Sequence, residues 1–522
     1  MTAEAQSKNR LDPGVFWPAL LLIVAILIPC VLFPEAGRKW SGIVLNILTH
    51  SFDWFFEWFT LGCLLFAVWI SLSRYGKIRL GLAHEKPEFS TASWLFLTIT
   101  GCTSSSLMFW AILEPMYHYQ SPPFGAAPQS AEAAGWAMAY GIMHWGPSVW
   151  SFFGLAGAAI GYFYYVRREP HLKASLTCEP VLGRYARKWP GKLIDFIVIV
   201  SLVGGVGTSL AVVVPMLAVW AEKLLGIQRS IGLDISIIFI WIAIFGTSAY
   251  LGLEKGMKVL SDVNVYAVIF IMAFMLLVGP TASLLSFATD SLGLLFQNFI
   301  RMSLFTDPVG GSGFPQNWTV FYWCWWVVYA IFLGIYIARI SRGRTIRQVV
   351  LANTVFGSMG CAMFYIIMGG YTMHLEIAKV LPLTEIFSSQ GPEYVIFAMF
   401  NTLPAKWLVW PLLVIVGFLG SATLFQGCAL VMASICTKEL PPGQEPAKWH
   451  RLLWALVLGL VGVVLRILGG LKALQLSAVI FGIPTVFVMV MVLYSFLQWA
   501  REDFKDQFAA EEFVLAKTPK ND

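Results

Sequence analysis

Charged residues are scarce in this chain of 522 residues, at 12%, whereas hydrophobic residues make up 58%. That proportion leaves too little polar surface to coat a water-soluble globule of this size. The composition therefore argues against a soluble protein and predicts one embedded in lipid. The net charge of +6 is small, and it indicates no nucleic-acid partner.

The sequence also lacks closely spaced cysteine pairs and the features of a cleavable signal peptide. The eight cysteines form no C-x-x-C pair and lie mostly inside apolar runs, which predicts neither a zinc site nor disulfides. The first apolar run follows a polar leader with Lys8 and Arg10, without a small-residue cleavage site. We therefore expect this run to remain as the first membrane span.

Apolar stretches of spanning length are abundant. A bilayer core takes roughly 20 apolar residues per helical crossing. The sequence predicts an all-α integral membrane protein with twelve transmembrane helices. The predicted spans are 14–33, 53–73, 93–113, 136–166, 192–220, 232–251, 259–285, 316–338, 347–370, 407–436, 452–470 and 473–498.

The distribution of positive charge predicts the orientation of these spans. If both termini are cytoplasmic, the inward segments with their flanks hold 26 of the 35 Lys and Arg residues. Positively charged loops resist translocation, so we expect this orientation. On the outward side, 286–305 mixes apolar residues with Asp290, Asn298 and Arg301, which favours an interfacial amphipathic helix, although a structured loop is the alternative.

Two predicted spans are irregular. Span 3 contains the small-polar run 101–106, whose hydroxyls compete for backbone hydrogen bonds, and span 8 follows the glycine-rich run 310–315. Transporters built from inverted repeats place substrate where one irregular helix from each half meets the other. Because spans 3 and 8 are five apart, we predict a five-plus-five repeat preceded by two helices.

Span 8 carries the densest aromatic cluster. On a helix, five rings share an arc of roughly 100°; they are Trp318, Tyr322, Trp325, Trp326 and Tyr329. A trimethylammonium group has no N–H to donate, so ring faces or carboxylates must hold it. The cluster therefore suggests a cation cage. An aromatic belt or simple helix packing is the alternative, although these rings are not confined to the helix ends.

The segment Asn-Trp-Thr-Val-Phe-Tyr-Trp-Cys-Trp-Trp at 317–326 resembles the signature of the betaine/carnitine/choline transporter (BCCT) family. Other similar motifs are Lys-Pro-Glu-Phe-Ser-Thr-Ala-Ser at 86–93, His-Trp-Gly-Pro at 144–147 and Ala-Arg-Ile-Ser-Arg-Gly-Arg-Thr at 338–345. Within the family, the runs 102–104, 306–308 and 312–315 are most similar to the L-carnitine/γ-butyrobetaine antiporters.

This resemblance implies twelve helices with an inverted five-plus-five core of the LeuT-like type, assembled as a homotrimer in a bacterial inner membrane. The implied divisions are a cytoplasmic N-terminus at 1–13, two peripheral helices at 14–91, a first repeat at 92–285, the interfacial helix at 286–315, a second repeat at 316–498 and a cytoplasmic tail at 499–522.

The resemblance also implies roles for single residues. Trp325, Trp326 and Tyr329 match the central cage positions, and Tyr117 matches the ring contributed by span 3. Outer aromatics along the access path are Trp318 and Trp145. We look for the substrate carboxylate at the hydroxyls and backbone N–H groups of the opened span, including Thr103 and Ser104, for which small-residue helix packing is the alternative.

Coupling to an ion is where the sequence departs from its nearest relatives. The antiporters carry an arginine on span 7 in place of a sodium ion, and the matching residue here is Asn264. Where the antiporters carry a methionine on span 8, this chain has Leu333. Candidate oxygen ligands for sodium are Thr208, Ser209, Ser421 and Thr423. Each of these hydroxyls could instead back-bond within its helix, and Gly420 leaves the site incomplete. The sequence predicts no certain metal site, and a sodium ion is the one candidate cofactor.

Ionisable groups in the spans offer proton coupling as a further route. The candidates are Glu114, His144, Asp195 and Asp262. We expect interfacial water to solvate all of them except His144, because the others lie near predicted helix ends. The run 101–106 lacks the acid of choline-type members, which favours a zwitterion over a bare cation.

These observations predict a secondary transporter of a trimethylammonium zwitterion that works by substrate:product exchange. Sodium- or proton-coupled uptake of a betaine-type osmolyte is the alternative, which the short tail disfavours. An ion channel would need a filter of repeated carbonyl or charged rings, and the sequence shows none. An enzyme would need more than the lone His144.

Overall fold

In a computed structural model, the described residues are 11–82, 84–100, 105–169, 173–251, 256–438, 440, 444–469 and 471–506. Within these ranges the chain forms helices and no β-strand, apart from two isolated bridges. The prediction of an all-α protein is therefore confirmed for these residues. Thr103 and Ser104 lie outside them, as do the two ends of the chain.

The main helices are numbered α1 to α18 in chain order. They are α1 Pro13–Leu32, α2 Pro34–Leu72, α3 Thr91–Thr100, α4 Ser105–Gln120, α5 Ala131–His144, α6 Pro147–Gly161, α7 Trp189–Leu225, α8 Ile231–Leu251, α9 Gly256–Val278, α10 Thr281–Ser303, α11 Val320–Val327, α12 Ala330–Ile340, α13 Ile346–Ile377, α14 Leu383–Ser389, α15 Pro392–Phe400, α16 Lys406–Ile435, α17 Lys448–Leu468 and α18 Leu471–Asp503.

A helix overlaps each of the twelve predicted spans. Among the described residues, eight helices are long and apolar enough to cross a membrane, or ten if each of two bent pairs counts as one span. Their length and hydropathy fit an integral membrane protein. The count of twelve and the inverted repeat remain predictions.

Two predicted boundaries are wrong. Helix α2 begins at Pro34, well before the predicted residue 53, because the polar segment after Pro34 is amphipathic and buries Ser41, Leu45 and Thr49 on one face. Helix α9 ends at Val278 instead of continuing to 285, because Gly279 and Pro280 interrupt it. The next helix, α10, lies at 104° to α9.

Breaks in two spans shape the centre of the molecule. Between α5 and α6 the helix stops at Trp145 and Gly146 and restarts at Pro147. The predicted span 8 begins with a π-helical turn, Pro315–Thr319, and bends by 48° between α11 and α12. Helix ends leave backbone groups without intrahelical partners, so these breaks provide hydrogen-bonding groups inside the protein.

Two of the motifs found in the sequence meet at one end of the fold. The Leu80 N–H donates to the Arg344 carbonyl at 2.8 Å, and the Gly343 N–H donates to the Leu80 carbonyl at 2.8 Å. The Arg342 Nε lies 2.6 Å from Glu85 Oε1. The pKa of Glu85 is lowered, first by the hydrogen bond from the Leu82 N–H and then by Arg342. The segment before α3 is thereby fixed to the end of α12.

Candidate functional site

Three tryptophans form an inner aromatic group at the α5–α6 break: Trp145, Trp325 and Trp326. The centroid of the Trp145 ring lies 4.6 Å from that of Trp326 and 5.8 Å from that of Trp325. Trp325 and Trp326 are 5.8 Å apart, and all three are buried. The sequence predicted Trp145 on the outer path, but the structure places it directly against the central pair.

Hydrogen bonds fix the edges of these rings. The Trp326 Nε1 donates to the His144 carbonyl at 3.0 Å, which the α5–α6 break leaves accessible. The Trp325 Nε1 donates to the Gly205 carbonyl on α7 at 3.2 Å. Because the N–H groups are bound to protein, a ligand could meet these rings only through their faces; Phe321 already stacks on Trp325 at 5.7 Å. Faces are the parts of an indole that attract a cation.

Tyr329 lies at the bend between α11 and α12. Its hydroxyl is 3.4 Å from Ser209 Oγ on α7. A Cβ at Gly205 would lie 2.9 Å from the Tyr329 ring, so only glycine lets α7 approach this closely. Ser209, which the sequence offers as a candidate sodium ligand, thus lies beside Tyr329 of the predicted cage.

Tyr117 and Trp318 form an outer aromatic group with Phe387. The Tyr117 ring is 5.0 Å from Trp318 and 4.8 Å from Phe387. Trp110 lies between the two groups, 6.1 Å from Trp318 and 6.3 Å from Trp325. A continuous series of ring contacts therefore links the outer group to the inner one, with Tyr117 at its outer end.

A cavity of about 730 Å³ adjoins the outer group. Trp318, Asn317 and Gln120 line it, together with the cations Arg38 and Lys472. Its described lining contains no acidic side chain. We call this cavity the vestibule. The charged side chains in its described lining are positive, and the ring of Trp318 forms part of its wall.

A buried carboxylate, Glu114 on α4, lies beside the inner aromatic group. Its Oε1 accepts from His144 Nδ1 at 2.6 Å and pairs with His118 Nε2 at 3.1 Å. Its Oε2 accepts from the Tyr322 hydroxyl at 2.6 Å. The Trp145 Nε1 at 3.2 Å and the Tyr365 hydroxyl also donate to Oε2. Five side chains, from α4, α5, α11, α13 and the α5–α6 break, thus converge on one carboxylate.

This network corrects the expectation that water solvates Glu114. The side chain is completely buried, because the bulky residues of α5, α11 and α13 enclose it. Asp195 is buried too, where it accepts from the Ser175 N–H and hydroxyl, whereas Asp262 is exposed. His144 is not alone either: it shares Glu114 with His118. These three side chains offer ligand atoms within 4.8 Å of one another, but hydrogen bonds already account for both carboxylate oxygens.

One of the coupling candidates, Asn264, lies close to Gly420, and another, Ser421, follows Gly420 in the chain. A Cβ there would lie 2.6 Å from Ser105 Oγ and 3.3 Å from Asn264 Oδ1. Among the described residues, neither Asn264 Oδ1 nor Ser421 Oγ has a hydrogen-bond partner, and both atoms are buried. Ser105 Oγ donates to the Val416 and Gly417 carbonyls at 2.8 and 3.0 Å. The neighbourhood of Gly420 is therefore rich in oxygen atoms.

The remaining coupling candidates lie elsewhere. Thr208 Oγ1 donates to the Gly204 carbonyl of its own helix at 3.0 Å, the back-bonding considered from the sequence, and contacts Ser477 at 2.9 Å. Leu333 is buried one turn after Tyr329. The side chain of Thr423 lies outside the described part of the chain.

Three residues of the site were missed: Trp110, His118 and Tyr365. Trp110, Glu114 and Tyr117 have i, i+4, i+7 spacing, so the helical periodicity of α4 could have identified Trp110. His118 follows Glu114 by one turn and was available to the same argument. Tyr365 gave no such signal, because only the packing of α13 against α4 brings it to Glu114.

A comparison with models of protein families shows which family this chain resembles. The model of the betaine/carnitine/choline family of transporters matches residues 14–505, which is nearly the whole chain. The family match confirms the prediction of a transporter rather than an enzyme, and secondary transport of betaine-, carnitine- or choline-type substrates is what the family does. This chain belongs to the betaine/carnitine/choline transporter family.

Proposed function

We propose that this transporter carries a trimethylammonium zwitterion of the carnitine, γ-butyrobetaine or betaine type by alternating access. The carrying observation is the inner aromatic group of three tryptophans, two of whose N–H groups bind protein carbonyls, so that these rings can attract a cation without hydrogens to donate only through their faces. The negative charge of Glu114 behind Trp145 and Tyr322 favours the same cationic head group.

The vestibule supports a zwitterion over a bare cation. Arg38 and Lys472 repel a substrate with net positive charge and attract a carboxylate. Trp318 at the inner end of the vestibule offers the first ring to the ammonium group. The carboxylate in the central site would be held at the opened span 3, including Thr103 and Ser104.

We propose exchange of substrate for product as the mode of transport, in line with the resemblance to the antiporters. The test is uptake of radiolabelled carnitine into proteoliposomes, with and without unlabelled γ-butyrobetaine inside, in sodium and in potassium buffers. Exchange requires internal substrate and gives equal rates in both buffers. Chemical conversion of the carnitine would contradict the proposal, as would uptake that is insensitive to internal substrate.

Sodium-coupled uptake is the second candidate, favoured by the unpartnered oxygens of Asn264 and Ser421. Sodium prefers hard oxygen ligands, and Asn264 Oδ1 lies near Gly420, where Ser105 and the α16 carbonyls approach. In the same assay, concentrative uptake into liposomes without internal substrate, driven by a sodium gradient, would support this candidate over exchange.

We further propose a homotrimer in a bacterial inner membrane with both termini cytoplasmic. The charge distribution supports the orientation, and the resemblance supports the assembly. Light scattering of the detergent-solubilised protein measures the oligomeric state. Labelling of single cysteines at the ends of the chain in sealed inverted vesicles measures the orientation.

A further inference from the structure

Glu57 on α2 is a buried carboxyl group that the transport site does not use. The residue is 1% exposed, and neither oxygen has a hydrogen-bond partner among the described residues. It faces the protein, in the same helix as the buried Asp53 one turn earlier. A charged carboxylate without partners inside a membrane protein is strongly disfavoured.

Asp53, unlike Glu57, has hydrogen-bond partners for both of its carboxylate oxygens. Asp53 Oδ2 accepts from Gln316 Nε2 at 2.7 Å, and Oδ1 accepts from the Trp54 N–H at 2.7 Å. Gln316 belongs to the π-helical turn that leads into α11, and it also donates to the Thr306 carbonyl at 2.8 Å. Both oxygens of Asp53 are therefore satisfied by hydrogen bonds, and a charge on Glu57, one turn away on the same face, would lie close to this carboxylate.

A further hydroxyl on this helix, Thr60 Oγ1, is also buried without a partner in the described chain. Thr60 follows Glu57 by three residues on the same helix face. Asp53, Glu57 and Thr60 thus form one buried polar row on α2.

Most other ionisable groups on the elements packed against α2 are engaged elsewhere, lie near helix ends or are thiols. Helix α6 has none, the π-helical turn has none, and α11 carries Tyr322, which is bound to Glu114, and the buried thiol of Cys324. Helix α1 carries the Cys30 thiol, and the turn Arg74–Lys77 that follows α2 carries Arg74, Tyr75 and Lys77. On α13, Arg347 binds the Ser71 carbonyl and Tyr365 binds Glu114. Near the ends of α17 and α18 are His450, Arg451, Arg466, Lys472, Arg501, Glu502 and Asp503. Arg301 stacks on Phe124 at 4.2 Å.

We propose that Glu57 is a proton-binding site, occupied in this conformation and emptied when the π-helical turn separates from α2. Binding adds one proton from bulk water to a Glu57 carboxylate oxygen and forms a neutral acid; release returns that proton to water. A proton suits this enclosed position better than sodium does, because the acid is uncharged and needs no shell of oxygen ligands.

The site is connected to the aromatic rings through Gln316. This side chain holds Asp53 from a turn that also contains Trp318 and continues into α11. Movement of α11 during alternating access therefore changes the distance between Glu57 and the residues around it. This link to transport rests on the proposed function, whereas the proton site itself does not.

Infrared difference spectroscopy during a pH titration of the full-length protein tests the proton site without any substrate. We expect a protonated-carboxyl C=O band that persists at neutral pH, is lost in Glu57→Gln and is kept in Glu35→Gln. Glu35 is an exposed glutamate of the same helix, so Glu35→Gln is the matched control. An identical band in Glu57→Gln would overturn the assignment, and loss of the band on adding sodium at constant pH would indicate a cation site instead.

Two additions keep the test decisive. If Glu57→Gln does not fold, Glu57→Asp serves in its place: the shorter acid moves the carboxyl group and should shift the band, and an unshifted band overturns the assignment. In proteoliposomes, a pH gradient should alter wild-type exchange by at least several-fold and leave that of Glu57→Gln unchanged. A protein that shows the band but binds no trimethylammonium compound would refute the proposed function and leave the proton site standing.

Discussion

The indole N–H of Trp326 donates a hydrogen bond to the His144 carbonyl oxygen at 3.0 Å, across the break between α5 and α6. The Trp326 ring is also perpendicular to that of Trp145, with an interplanar angle of 90°. The break in one span therefore sets the orientation of a ring carried by another. Two motifs that are far apart in sequence, 144–147 and 317–326, thus contact each other through their aromatic rings.

The first prediction concerns this ring. Each aromatic face contributes about 0.5–2 kcal/mol to cation binding, so Trp326→Ala should weaken binding of carnitine about 2- to 30-fold. Trp326→Phe keeps a ring but loses the hydrogen bond to His144, so its loss should be smaller. Isothermal titration calorimetry on purified protein measures both.

Trp323 provides the control for Trp326. It is fully buried and contacts the His144 ring, but it has no ring contact with the inner aromatic group. Trp323→Ala would remove a packed side chain at a cost of about 3–5 kcal/mol of stability, so Trp323→Phe is the better variant. Equal losses of carnitine affinity in Trp323→Phe and Trp326→Phe would contradict the assigned binding surface.

The second prediction concerns Glu114. In Glu114→Gln the negative charge is lost and one acceptor oxygen becomes an NH₂ group, so that either the tyrosines Tyr322 and Tyr365 lose their acceptor or the histidines must change tautomer to accept from the amide. Breaking a buried charged network of this kind costs about 3–5 kcal/mol. The thermal unfolding midpoint in detergent should fall clearly, and transport should be lost.

Tyr365→Phe is the graded control for Glu114. It removes one donor and leaves the carboxylate four others, so the cost should be about 1–3 kcal/mol. A Glu114→Gln protein as stable as the wild type would show that the carboxylate is not the centre of the network.

The aromatic helix was predictable from sequence because its rings repeat with helical spacing. The face containing Trp325 and Trp326 follows from residue order alone. The position of Trp145 does not, because it depends on a backbone break that ends α5 and turns the ring toward α11. Periodicity describes one helix, whereas contacts between helices depend on where each helix stops.

Buried charge was the harder feature to predict. Glu114 lies near the end of a predicted span, where we expect interfacial water to solvate a charged side chain. The end of α4 is instead covered by Trp318, Phe314 and Tyr140, which pack on His118. Solvation depends on the residues that cover a helix end, and hydropathy along one segment does not contain that information.

The third prediction tests ion coupling. Asn264→Arg places a positive charge near Ser105 and Gly420, so any stimulation of transport by sodium should disappear. Asn264→Leu, which has similar volume and no charge, is the control: it removes the oxygen without replacing a cation. Initial rates in sodium and potassium buffers measure the effect. Equal rates in both buffers for wild type and both variants would remove Asn264 from the coupling mechanism.

The fourth prediction concerns the vestibule. Reversing its charge with Arg38→Glu and Lys472→Glu should lower the initial rate of carnitine transport several-fold at low ionic strength. The difference should shrink above about 0.1 M salt, where the Debye length is about 10 Å. Arg184→Glu, an exposed reversal outside the vestibule, should have little effect. A loss that is independent of salt would argue against electrostatic attraction.

The last prediction separates backbone strain from steric contact where the motifs 86–93 and 338–345 meet. Gly343 and Gly226 have similar positive φ values, 76° and 70°. A Cβ at Gly343 would lie 2.5 Å from the Lys86 carbonyl oxygen, whereas one at Gly226 has nothing within 4 Å. Gly226→Ala should therefore cost only the left-handed conformation, about 1–2 kcal/mol. Gly343→Ala should lower the thermal unfolding midpoint further, because the backbone at Lys86 must also move. Equal midpoints for the two variants would show that this contact does not hold the two motifs together.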